Sequence, residues 1–128
     1  MSTLNVSNIT DGTDTVGTSY VVNGSAKAWV NFTGISTTAL RDSLNVSSLT
    51  DIGVGRTGIN FSSAMVNDNY TGSYYTNASS TSTDGGFSNH FVGGFAVRTT
   101  SSYRLWAYNA SASVDSYWND SIIQGDLA

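Results

Sequence analysis

The sequence predicts an all-β domain, an antiparallel β-sandwich of about eight short strands preceded by an N-terminal arm. Three observations carry that expectation. Thr, Ser, Gly, Asn, Val and Tyr dominate, the mixture of strand formers and turn formers that short strands and tight loops require. Strong helix formers are scarce, because every acidic residue is Asp and Lys27 is the single lysine. Apolar positions recur with a period of two between clusters of Gly, Asp and Asn, the pattern of half-buried strands. A chain of 128 residues is one domain's length, divided here into an arm, 1–20, and a sandwich, 21–128.

Taken in order, "LNVSNIT" at 4–10 reads as an edge strand or arm, closed by the turn "DGTD" at 11–14. "TSYVVNGSAKAWVNFTG" at 18–34 reads as one long strand, or as two sharing a bend at Asn23 and Gly24. Within it Gly24, Ala26, Ala28, Val30 and Phe32 alternate with Asn23, Lys27, Trp29 and Asn31. If the small residues face the core, large side chains must oppose them to fill the roughly 10 Å between packed sheets, and Phe61, Phe95 and the tyrosines are available. Trp29 then either covers the stem of Lys27 or belongs to a subunit interface, where aromatic residues are enriched.

"TALRDSLNVSSLT" and "RTGINFSSAM" read as the two arms of one hairpin around "DIGVG" at 51–55, with Leu44 and Val46 on one face of the first arm and Thr57, Ile59 and Phe61 on one face of the second. "NYTGSYYTNA" sets Tyr70, Gly72 and Tyr74 against Thr71, Ser73 and Tyr75, and the polar stretch 77–89 reads as a loop. A second hairpin aligns Phe91, Gly93, Phe95 and Val97, turns through "TSS", and sets Tyr103, Leu105 and Ala107 against Arg104, Trp106 and Tyr108. The closing stretch contributes a last apolar pair, Ile122 and Ile123.

A net charge of −4 with five basic residues cannot build the basic patch that nucleic-acid binding needs, nor a basic helix for a membrane surface. No segment has the length and apolarity of a transmembrane helix, and the N-terminus has neither the basic region nor the apolar run of a signal peptide. Without cysteine there is no disulfide, thiolate metal site or thiol nucleophile. His90 is the only histidine and stands in no nucleophile context, the aspartates fall largely in turns, and "GVGRTG" lacks the ending of a phosphate loop. The expectation is a protein with no catalytic, cofactor or metal site.

The remaining chemistry is aromatic and polar. Tyr74, Tyr75, Trp106 and Tyr108, with His90 beside the 77–90 loop, form a candidate glycan- or host-facing set, accompanied by Tyr117 and Trp118, because sugar C–H faces stack on rings while hydroxyls bond to amides and carboxylates. Val6, Ile9 and Trp29 are the candidate subunit interface.

The ordered series "YVVNGSAKAWVNFTG", "LRDSLNVSSLTDIGVGRTGINFSSAM" and "NYTGSYY", covering about residues 15–76, with "QGDLA" at the end, resembles small virion proteins and fibre modules of tailed bacteriophages, especially those of marine bacteria. The resemblance implies a non-enzymatic structural protein of the virion, a tail-fibre or appendage component, assembled in the host cytoplasm with other virion proteins. It further implies a homo-oligomer, a trimer by the habit of fibres; a host surface glycan is the further partner that the aromatic set above suggests. A fibre module usually follows a shaft or docking domain, whereas only about 20 residues precede this one. A capsid decoration or head-fibre protein, and a freestanding carbohydrate-binding module, are therefore carried as alternatives.

Overall fold

A computed structural model describes residues 2–77, 92–108 and 112–128. Its architecture is the expected one, two antiparallel four-stranded sheets in a sandwich-like arrangement, and the described residues are mostly β with one short helix and no closed barrel. The strands are β1 (Asn8–Thr10), β2 (Thr15–Gly17), β3 (Ala26–Thr33), β4 (Ala39–Leu44), β5 (Val46–Gly53), β6 (Arg56–Phe61), β7 (Thr71–Asn77), β8 (Val92–Arg98), β9 (Ser102–Tyr108) and β10 (Trp118–Gln124), with helix α1 (Thr18–Gly24) between β2 and β3. The first sheet runs β4-β3-β10-β7 and the second β5-β6-β9-β8, while β1 and β2 form a separate hairpin.

That hairpin turns where Asp, Gly and Asp predict it. The Asp11 carboxylate accepts the backbone N–H groups of Thr13 and Asp14, each at 2.9 Å, and Gly12 takes a positive φ of 101°. Those two amides, Asp14 first, hold the Asp11 carboxyl below its ordinary pKa.

Residues 18–24 are helical, which corrects the expectation of strand or bend there. Val21 and Val22 favour a strand locally, yet the turn is pinned from outside. The Thr18 hydroxyl donates to the Val6 carbonyl at 2.9 Å, and the Lys27 ammonium donates to the Val22 carbonyl and, at 2.7 Å, to Ser25 Oγ. Lys27 is thereby buried under the helix end with its ammonium hydrogen-bonded to neutral oxygens.

The second correction concerns 38–50. It is not one hairpin arm but two strands in different sheets, β4 and β5, divided at Asn45. Asn45 adopts φ 55°, a left-handed conformation that Asn tolerates better than most residues. Its side chain locks the corner, accepting from the Ser63 N–H at 2.7 Å and donating to the Ser63 carbonyl at 3.1 Å. Leu44 consequently stays exposed while Val46 packs against the core, so the two do not share a face. The β5–β6 hairpin around "DIGVG" is present; Gly55 there has φ 66°, and a Cβ on it would lie 2.3 Å from the Ala107 carbonyl oxygen.

Ala28, Val30 and Phe32 of β3 and Ile123 of β10 point into the sandwich, meeting Ile59 and Phe61 of β6 and Tyr103 and Leu105 of β9. The small residues of β3 are offset by rings in the same cluster. Tyr103 lies 5.4 Å from Phe61 and 5.5 Å from Phe95 between ring centroids, and Tyr70 closes on Phe61 edge-on at 5.7 Å. On β8 a bulge between Phe95 and Val97 breaks the expected alignment, leaving Phe95 against the core and Val97 exposed. Phe91 and most of the 77–89 loop lie outside the described residues.

Candidate functional site: two aromatic faces

Strand alternation that fills the core also fixes what faces outward. On β9 Tyr103, Leu105 and Ala107 are buried, so Arg104, Trp106 and Tyr108 stand on the outer face of the second sheet, as the sequence pattern predicts. Strand register places Arg56 of β6 on one side of Trp106 and Gly94 of β8 on the other. The Arg56 guanidinium carbon is 5.8 Å from the Trp106 ring centroid, and the Trp106 and Tyr108 rings are 5.9 Å apart. The indole N–H donates to Ser113 Oγ at 2.8 Å, which fixes the ring plane. Because Gly94 has no side chain, a hollow opens beside the rings, lined by Gly94, Phe95, Ala96, Trp106 and Tyr108.

The outer face of the first sheet is a different surface. Trp29 of β3 stands opposite Leu44 on one neighbouring strand and Ile122 on the other, forming an apolar row. The adjacent row reads Asp42, Asn31, Asp120 and Tyr75, in which the Asn31 amide donates to the Asp120 carboxylate. Trp29, Asn31, Ser73, Tyr75, Asp120 and Ile122 line a shallow hollow on this face. At its far end the Arg41 guanidinium carbon lies 4.0 Å from the Trp118 ring centroid and 4.6 Å from that of Tyr117, so this cation is already stacked.

These positions regroup the residues expected to act together. Trp106 and Tyr108 remain a pair on the second sheet, but Tyr75, 56% exposed, belongs with Trp29 on the first. Tyr74 does not face outward and is corrected to an interior role. Its hydroxyl donates to Asn119 Oδ1 at 2.7 Å, and burial raises its pKa above the usual phenol value. His90 lies outside the described residues. Val6 and Ile9 are exposed on the N-terminal segment, at 40% and 46%.

Sequence reasoning passed over Asn119, which organises the interior end of the first sheet. Its carbonyl oxygen accepts from Tyr74, from Thr76 at 3.1 Å and from Ser116, while its amide donates to the Ser116 carbonyl at 3.0 Å and the Phe32 carbonyl at 3.4 Å. The signal available was a polar residue at an inward position of β10, flanked by Ser121 and Ile123 on the same face. Among the described residues no His, Cys, Asp and Glu side chains gather as a metal site, and no helix is long and apolar enough to cross a membrane. Comparison with protein-family models, curated proteins and solved structures finds no match.

Proposed function

We propose that the chain is a non-enzymatic structural component of a bacteriophage virion, an oligomeric tail-fibre or appendage module that contacts the host surface. What supports this reading beyond the sequence resemblance is one observation: both outer faces of the sandwich carry large exposed aromatic residues, Tyr75 and Trp118 on one and Trp106 and Tyr108 on the other. A solitary domain gains nothing from exposing rings on opposite sides, whereas a module built into an assembly uses one face for its neighbour and keeps the other for a ligand. The first face, with its apolar row of Leu44, Trp29 and Ile122, suits a neighbouring copy; the second, with its hollow, suits a glycan. A trimer is the expected state.

Mass spectrometry of gradient-purified particles from the encoding phage tests the reading, together with light scattering of the purified chain. Stoichiometric presence in particles and a stable oligomer are expected. A strictly monomeric chain that never copurifies with particles overturns it. A freestanding carbohydrate-binding module is the second reading, favoured by the Trp106–Tyr108 shelf, and it predicts glycan binding by a monomer.

A further inference from the structure

The two outer faces differ in charge as well as shape. The first presents Asp42 and Asp120, with its arginine stacked between Tyr117 and Trp118. The second holds two of the chain's five basic residues, Arg56 and Arg104, both exposed and both neighbours of Trp106. Arg104 lies two residues before Trp106 on the same face, roughly 7 Å along the strand, and its cross-strand partner on β6 is Gly58, which leaves it uncrowded. Among the described residues no carboxylate pairs with either guanidinium. In a chain of net charge −4, the described residues thus gather two guanidiniums around an aromatic ring held by Ser113, with the nearby Asp115 carboxylate engaged by the Gly55 N–H.

We propose that this face binds an acidic polysaccharide, one whose sugar rings carry carboxylate or sulfate groups; the inference rests on the glycan-contact reading above. The C–H face of a sugar ring stacks on Trp106 and Tyr108, and the hollow over Gly94 receives the ring or its neighbour. Arg104 and Arg56 pair with the anionic substituents, since the planar guanidinium matches carboxylate and sulfate oxygens in a two-pronged contact. The indole is held in advance by Ser113, so little ordering is required of it on binding. A neutral glycan would leave Arg104 without a role, while Arg56 would keep only its contact with the Trp106 ring.

Calorimetric titration of the full chain with three probes tests this: alginate as a polyuronate, dextran sulfate as a sulfated glucan, and neutral dextran. Binding of either acidic probe is expected, with neutral dextran at least about tenfold weaker. Gly94→Leu fills the hollow at a position where an added Cβ meets nothing within 4 Å, so it is expected to fold normally and to weaken binding by about tenfold or more. Trp106→Ala is expected to do the same, and Arg104→Gln to remove the preference for the acidic probes. Equal binding of neutral dextran, unchanged in Arg104→Gln, overturns the acidic class while the glycan-contact reading stands. Binding of none of the three probes overturns the proposal, as does acidic-probe binding that Gly94→Leu and Trp106→Ala leave intact. If Arg104→Gln instead changes the oligomeric state, the face is covered by a second copy and the proposal fails.

Discussion

The Tyr103 hydroxyl and Ser121 Oγ share a hydrogen bond of 2.7 Å between buried side chains, one from each sheet of the sandwich. Tyr103 belongs to β9 and Ser121 to β10, so a polar contact crosses a core otherwise held by apolar packing and rings. Both groups are removed from water and each is the other's partner, which makes the bond costly to half-remove. Tyr103→Phe is expected to destabilise the fold by about 1–2 kcal/mol in urea unfolding, and adding Ser121→Ala is expected to recover part of the loss.

Burial also sets the alkaline limit of the fold. Desolvation raises the pKa of Tyr103, and raises those of Tyr70 and Tyr74, above the usual phenol value. A group whose folded-state pKa is raised holds its proton more tightly when folded. Its contribution is fully present below about pH 10 and is lost as pH rises beyond that through the folded-state value. Stability is therefore expected to decline above about pH 10, and ultraviolet tyrosinate absorbance should show some tyrosines ionising only as the chain unfolds. Simple titration of all seven tyrosines near pH 10 in a folded chain would contradict this.

Asn119 is a more demanding site than any single apolar contact of the first sheet. Asn119→Leu strands the Tyr74, Thr76 and Ser116 hydroxyls together, and the expected cost is about 3 kcal/mol or more. Tyr74→Phe removes one donor from an oxygen that keeps two others, and about 1 kcal/mol is expected. Urea midpoints of the two variants distinguish a network from a set of independent bonds.

The assignment of the first face to a neighbouring copy has its own consequence. Trp29→Ala removes the ring at the centre of the apolar row without touching the core, so a folded chain with self-association weakened at least about tenfold is expected by sedimentation. Trp106→Ala is expected to leave association unchanged. The reverse pattern would exchange the roles of the two faces.

Much of this arrangement is legible in the sequence where local alternation and tertiary burial agree. On β9 the period of two sets Tyr103, Leu105 and Ala107 on one face and Arg104, Trp106 and Tyr108 on the other, and burial of the first group follows that division. The helix at 18–24 is not legible, because its β-branched residues favour a strand and its support comes from Val6 and Lys27, outside the segment. The change of sheet at Asn45 is hidden by an unbroken strand-like run, and only an Asn able to take a left-handed conformation hints at it. The central place of β10 is hidden for a related reason. It lies between β3 and β7, yet its inward residues include Asn119 and Ser121, whose burial makes sense only once their partners are known. The stacking of Arg41 on Trp118 likewise joins residues far apart in the chain, across a bulge between Asn31 and Phe32.

The most direct test of the proposed role is immunogold electron microscopy of intact particles from the encoding phage, using antibody raised against the folded chain. The account predicts discrete labelling at the tail tip or fibres, reduced when the antibody is preabsorbed with the chain. Labelling spread over the capsid would replace the appendage role with decoration of the head, and intact particles without any label, from preparations in which the chain is also missing by mass spectrometry, would contradict a virion role altogether.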